Sequence, residues 1–409
     1  MKKLKISKIF HLFLPVCFCF VCGKCQTEQK EYSTEQKKYS FVQDSLNVIH
    51  NAEELNGFFS VLKSGKKQIN ILHIGDSHLQ QSPVSVVLRS EFQKLFGNAG
   101  RGLIVPYHVA GTGSPHDIFS SSANKWEGKR NCKPLLPQAN GIGGITIESK
   151  DSVSAFIIEL TEDYAFTKMT VFFENDGKSH DLQAKDLLTG QIVSLKDNLS
   201  KSDSNVAVIQ FQKPTTKVEI SGKKTEPNQT HTTIFGINTE NEQKGLIYHS
   251  IGVNGSEYFH YDTSKYFNEE TPFLNPDLII ISLGTNEAFR NNIDFDEKRI
   301  KKEVGSFITH LKEYNPVVPF LITTPANVYK DKVENPRIKT VRDILISYCK
   351  ENHIAYWDLQ EITGKAENWK NNDLLNKDLI HFNDYGYQLQ GNLLFNAIMN
   401  SYKEYTATH

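Results

Sequence analysis

Apolar residues in this chain recur with two different periods, and the places where one period gives way to the other divide it. An apolar run at residues 69–74 (I-N-I-L-H-I) is followed by Val84, Val87, Leu88, Phe92, Leu95 and Phe96 at helical spacing, ending at Gly97. Steps of three and four put those side chains on one face, so the stretch reads as strand, sharp turn, helix. From residue 100 to about 144 no period holds and Gly, Pro, Ser and Asn dominate, which predicts a long ordered loop. Between 145 and about 238, short β-branched runs such as A-F-I-I-E-L, M-T-V-F-F-E and N-V-A-V-I-Q-F alternate with turn residues and predict a β-sandwich. After Gly245 strands and helices alternate again: strands at 246–251, 278–283, 319–323 and 354–359, helices at 296–314, 337–351 and 385–402. That alternation predicts a parallel sheet with helices on both faces. The expected organisation is an α/β domain made of residues 51–100 and 240–409, with a loop and all-β domain inserted at 101–239.

The amino terminus follows a different rule. Five lysines (Lys2, Lys3, Lys5, Lys8 and Lys24) surround an apolar stretch at 9–23, the pattern of an export signal, so residues 1–25 are expected to be a signal peptide. Cys22 and Cys25 are candidate lipid-carrying residues, although what precedes each fits a lipobox poorly. Residues 26–50, rich in Gln, Glu, Lys and Ser, are expected to be a polar spacer. The expected location is outside the cytoplasm, periplasmic or anchored at the outer membrane of a Gram-negative cell, with membrane contact only through a lipid anchor.

Composition narrows the function classes. With 39% hydrophobic and 23% charged residues in 409, the chain can bury a full core. Its formal net charge is -1, falling to -6 once the five amino-terminal lysines are removed, and no basic run lies beyond the terminus. Nucleic acid is therefore not an expected partner. Only Cys132 and Cys349 lie in the body of the chain, which excludes a disulfide framework and leaves either one bridge or two buried thiols. Neither C-x-x-C nor H-E-x-x-H occurs, so no metal and no other cofactor is expected.

In an open parallel sheet, ligands bind beyond the carboxyl ends of the strands. Three of the expected strands end in small polar motifs: Gly75-Asp76-Ser77, Gly252-Val253-Asn254-Gly255 and Gly284-Thr285-Asn286-Glu287. A serine hydroxyl is a weak nucleophile until a base takes its proton, and imidazole has the matching basicity. Near the carboxyl terminus, Asp378-Leu379-Ile380-His381 spaces a carboxylate three residues from such a ring. The two can pair locally.

G-D-S, a glycine-rich second block, G-T-N and D-x-x-H, in that order, resemble the four blocks of the SGNH/GDSL hydrolase family. The resemblance implies a flavodoxin-like three-layer α/β domain and Ser-His-Asp catalysis. It implies that Ser77 is the nucleophile, that His381 is its general base and that Asp378 orients His381. It also implies an oxyanion hole built from the Ser77 backbone N–H, the Asn286 amide and a block-two glycine, either Gly255 or Gly252. G-D-S-H, G-T-N-E and an insertion between the first two blocks are similar to bacterial peptidoglycan O-acetylesterases and related envelope carbohydrate esterases. The resemblance therefore implies removal of a small acyl group, acetyl above all, from peptidoglycan or another acylated carbohydrate. Acyl transfer with the same residues, or glycan binding by a lipoprotein with a vestigial site, are the alternatives.

Simpler roles are available to the neighbouring residues. Asp76, His78 and Glu287 can hydrogen-bond loop backbone, and His73, inside an apolar strand, reads as a core histidine. Tyr107, Phe119 and Trp126 can stack on sugar rings or pack beneath their own loop.

Overall fold

The computed structural model describes residues 39–80, 82–133 and 139–409. The expected signal peptide, the candidate lipid-carrying cysteines and the spacer up to residue 38 lie outside the described residues. No helix among the described residues is long and apolar enough to cross a membrane.

Six strands make the central sheet: β1 (Ile49–His50), β2 (Gln68–Gly75), β3 (Gly245–Gly252), β4 (Leu278–Ser282), β5 (Phe320–Thr323) and β6 (Ala355–Trp357). Their spatial order is β1-β6-β5-β4-β2-β3, with every neighbouring pair parallel except β1 and β6. Strands β2 to β6 thus lie in the flavodoxin-like order, in which the chain first steps from β2 to β3 and then crosses to the other side of β2. All residues of β2 after Gln68 are buried, the continuous apolar run of a strand covered on both faces.

On one face lie α1 (Asn56–Ser64), α2 (Pro83–Phe96) and the long carboxyl-terminal α5 (Asp384–Thr408), joined by Phe92 against Phe395 and by Phe59 and Phe96 against Tyr402. On the other lie α3 (Glu297–Tyr314) and α4 (Pro336–Glu351). Helix α3 starts where the Asp296 side chain accepts the Arg299 N–H at 2.7 Å, and it buries Ile300, Val304, Phe307, Ile308 and Leu311 along one stripe. Each such side chain contributes roughly 1.5–3 kcal/mol by leaving water.

The described residues of 102–240 form two antiparallel sheets, one of five strands and one of six, the sixth being Gly102–Ile104 paired beside the main strand order. Val153–Leu160 and Lys217–Lys223 alternate buried and less buried positions, the signature of sheets with one face in the core. Side chains from both sheets and from the α/β part share one buried apolar cluster.

Two expectations need correction. The stretch read as an irregular loop contains three short strands, Gly102–Ile104, Ile118–Ser121 and Glu127–Arg130. They are too short and too polar to show a period, and pairing with neighbours fixes them instead. The spacer ends earlier than residue 50, because residues 39–50 pack on the α/β part. Asn47 accepts from Trp357 Nε1 at 2.9 Å and donates to Leu393 O at 2.9 Å, Gln43 N–H donates to Ile362 O, and β1 adds an edge strand. Polar side chains make these contacts, so hydropathy gave no warning.

Candidate active site

Three strand ends converge where the strand order reverses. Strand β2 stops at Gly75, and Ser77 opens a short helix, Ser77–Gln80. Strand β4 stops at Ser282, after which Gly284 takes φ +126°, a conformation side chains rarely adopt, and turns the chain into Thr285–Phe289 carrying Asn286. Strand β3 stops at Gly252, whose Cα lies so close to the Ser77–Gln80 helix that an added Cβ would stand 2.3 Å from Gln80 N. Only glycine fits there.

The fourth segment comes from beyond the last strand. Asn376 N–H donates to His381 O at 2.8 Å and Leu379 N–H to Asn376 O at 3.0 Å, closing a tight turn in which Leu379 adopts φ +59°. For a leucine that backbone is strained, and the Tyr329 N–H held on Leu379 O at 3.0 Å helps to maintain it. Within the turn Asp378 Oδ1 accepts the N–H groups of Ile380 and His381, each at 2.9 Å.

These segments bring Ser77, His381 and Asp378 into one chain of hydrogen bonds. His381 Nδ1 lies 2.8 Å from Asp378 Oδ2, and His381 Nε2 lies 2.9 Å from Ser77 Oγ. A carboxylate only accepts, so Nδ1 carries the proton and Nε2 is left to accept from the serine hydroxyl. Burial pushes the Asp378 carboxyl up, but bonds from the His381 ring and from backbone N–H groups outweigh it and hold the group below the ordinary carboxylate value. Ser77, His381 and Asp378 line a cavity of about 530 Å³ together with Gly255 and Asn286. Gly252 is packed behind Gln80 instead.

The residues beside the motifs hold the loops. Asp76, 1% exposed, accepts the His78 N–H at 2.8 Å and the Asn286 amide at 3.3 Å; burial raises its carboxyl to about 7. The Asn286 Nδ2 also donates to Ser256 O at 2.9 Å. Of its two acceptors, Asp76 is the longer and the more easily replaced by an incoming oxygen. The ring of His78 packs 5.0 Å from that of His381, its Nδ1 meets Tyr387 OH at 3.2 Å, and burial lowers it to about 3, so it faces His381 uncharged. His73 is bonded at both nitrogens, to Tyr248 OH at 2.8 Å and Ser282 Oγ at 2.6 Å, and is a core residue.

Glu287 Oε1 accepts the Tyr258 N–H at 2.9 Å, while its other oxygen is buried without a partner. Burial and the nearby Glu257 charge raise this carboxyl well above the ordinary carboxylate range. Folded, it keeps its proton where the unfolded chain has lost it, so its contribution to stability is whole at low pH and drains away as pH rises past the ordinary carboxylate range. Glu287→Gln retains the acceptor and removes the titration. In urea unfolding between about pH 5 and pH 9 the variant gains on the wild type as pH rises, and a difference independent of pH would contradict the assignment.

Trp126 packs edge-on against Phe156 while donating to Ser122 Oγ at 3.0 Å and so serves its own segment, Tyr107 is buried with its hydroxyl against the Gly252 backbone N–H, and Phe119 is 52% exposed. Cys132 and Cys349 are free and buried. Gln80, Asn131 and Tyr387, which belong to no motif, also touch the site or the loops around it; no sequence pattern marks them.

Residues 236–389 match the model of the GDSL-like lipase/acylhydrolase family. No curated protein matches the chain. Among solved structures, a peptidoglycan O-acetylesterase aligns over 89% of this chain and 98% of its own, with TM-score 0.71 and 19% identity, which establishes a shared fold. A lipase/acylhydrolase from Enterococcus faecalis aligns over 38% of this chain and 77% of its own, with TM-score 0.32 and 20% identity. An acetylxylan esterase from Geobacillus stearothermophilus aligns over 38% and 73%, with TM-score 0.30 and 18% identity. The family match spans the second to the fourth block and the strand order places the first block beside them, so residues 236–389 are a GDSL-like lipase/acylhydrolase region within an SGNH hydrolase fold, and the protein is a carboxylic ester hydrolase.

Proposed function

We propose that this esterase removes a small acyl group, acetyl above all, from a carbohydrate of the cell envelope or from an acylated polysaccharide. The observation that carries the reading is the hydrogen-bonded chain from Ser77 through His381 to Asp378, opening on a cavity shared with Gly255 and Asn286. In this reading Ser77 Oγ attacks the ester carbonyl as its proton passes to His381 Nε2, and Asp378 steadies the imidazolium. The N–H groups of Ser77 and Gly255 and the Asn286 amide receive the negative charge on the carbonyl oxygen. His381 returns the proton to the sugar oxygen as the carbon–oxygen bond breaks. Water, deprotonated by the same ring, then releases the acid from Ser77.

The lining of the cavity supports a small acyl group and a polar leaving group. Asn254, Asn376, Asp384 and Ser82 offer hydrogen bonds, whereas only Pro83, Phe382 and Tyr387 among the described lining residues offer apolar surface. A fatty chain would find little apolar surface here, and a sugar would find partners for its hydroxyls. The solved peptidoglycan O-acetylesterase, which shares the fold over most of both chains, fits this reading, as does the amino-terminal export pattern, which points to the envelope.

The test is acetate release from O-acetylated peptidoglycan and from acetylated plant or host polysaccharides, followed by mass spectrometry of the glycans. Loss of acetyl mass from at least one of them, with no acetyl appearing on an added acceptor sugar, is the expected result. Acetylation of the acceptor in place of hydrolysis, or turnover confined to long-chain esters, would overturn it.

A further inference from the structure

Gln80 sits one turn beyond Ser77 and is 1% exposed, yet its side-chain amide is fully engaged. Its Oε1 accepts the Asn254 N–H at 2.8 Å, and its Nε2 donates to Thr112 Oγ1 at 3.0 Å and to Gly113 O at 2.9 Å. Asn254 immediately precedes Gly255, which takes φ +89° and lines the cavity beside Ser77. The same loop is gripped at three further points. Cys132 Sγ donates to Asn254 O at 3.3 Å, Ser256 Oγ donates to Asn131 Oδ1 at 2.5 Å, and Asn286 Nδ2 donates to Ser256 O at 2.9 Å. Asn131 is itself fixed, its N–H donating to Gly144 O at 2.9 Å.

Gln80 and Asn286, and Gly75 O, which accepts the Val253 N–H at 3.3 Å, belong to the α/β part. Asn131 and Cys132 come from the stretch between β2 and β3, and so do Thr112 and Gly113, which orient the Gln80 amide. We infer that Gln80 is a positioning residue for the oxyanion hole, and that the inserted segment sets the Gly255 N–H, Thr112 and Gly113 through Gln80 and Asn131 and Cys132 directly on the loop. The intervening chain is then part of the catalytic frame. The inference rests on the reading of Gly255 as an oxyanion donor. Its physical basis is that a donor is useful only where charge develops, so a loop released from one anchor drifts off the oxyanion while substrate contacts elsewhere survive.

The experiment compares Gln80→Met, which keeps length and burial but has no amide, with Gln80→Ala, Thr112→Val and Ser77→Ala, using a soluble acetyl ester. Gln80→Met is expected to lower kcat by about 10- to 100-fold with KM changed less than about threefold. Affinity for a boronic acid that mimics the tetrahedral intermediate should fall in step with kcat/KM. Thr112→Val, which removes one of two acceptors for the amide, should show a smaller loss of the same kind. The acidic limb of the pH profile should not move, since His381 and Asp378 are untouched. Wild-type kcat in Gln80→Met, or a loss confined to KM, would overturn the inference, and because Gln80→Met preserves packing, misfolding of Gln80→Ala leaves the test intact. If Ser77→Ala is inactive while Gln80→Met is unimpaired, the positioning role alone fails; if Ser77→Ala keeps full activity, the reading of the site fails with it.

Discussion

Ser77→Ala is expected to abolish ester hydrolysis, lowering kcat by roughly 10⁴-fold or more while leaving the fold and ester binding in place. The hydroxyl is half-buried, its one protein partner among the described residues is the His381 ring at 2.9 Å, and removing it deletes a single oxygen. Nothing else in the cavity replaces the nucleophile: Ser82 lines it too, but its hydroxyl has no hydrogen-bond partner among the described residues and so no base to activate it. The measurement is steady-state hydrolysis of p-nitrophenyl acetate with thermal unfolding alongside. A variant that melts like the wild type and still turns over within tenfold of it would show that chemistry occurs elsewhere.

Asp378→Asn comes next, with an expected loss of roughly 10²–10⁴ in kcat/KM. The substituted amide can still accept the N–H groups of Ile380 and His381 through its oxygen, so the turn survives. What changes is the proton on the ring. An amide N–H facing His381 Nδ1 forces that nitrogen to accept, which places the proton on Nε2 and leaves Ser77 opposite a donor. The upper figure belongs to a fully buried acid; the Asp378 side chain is 47% exposed, and water reaching Nδ1 softens the effect. Raising the pH should not restore activity, because the fault is tautomeric. In the wild type, the depressed Asp378 keeps its charge down through the ordinary carboxylate range, so its own protonation does not limit the base there. A variant within tenfold of wild type across the pH range would remove Asp378 from the mechanism.

Much of this arrangement was legible in the primary structure because each motif is contiguous and each of the five parallel strands of the central sheet is a largely apolar run. The runs at 69–74 and 246–251 lie within one residue of the observed ends of β2 and β3, since a strand covered on both faces has nothing but apolar positions to show. Less legible were features created by contacts between distant stretches. Gln80 looks like any polar helix residue until Asn254, 174 positions away, is seen on its Oε1. Leu379 gives no hint of its left-handed backbone, which the Asn376–His381 turn imposes. The last helix runs to Thr408, past the end its apolar spacing suggests, because its final turns need no buried face to continue.

Ser77 and His381 are 304 residues apart in the chain, yet share one hydrogen bond. At roughly 5–20 residues per second, a ribosome delivers the second of them on the order of tens of seconds after the first. Every nascent or prematurely released product in that interval carries a serine with no base to activate it. On the proposed mechanism, hydrolytic power arrives only with the closing of the carboxyl-terminal turn, and translation itself acts as the safety catch on a hydroxyl made early.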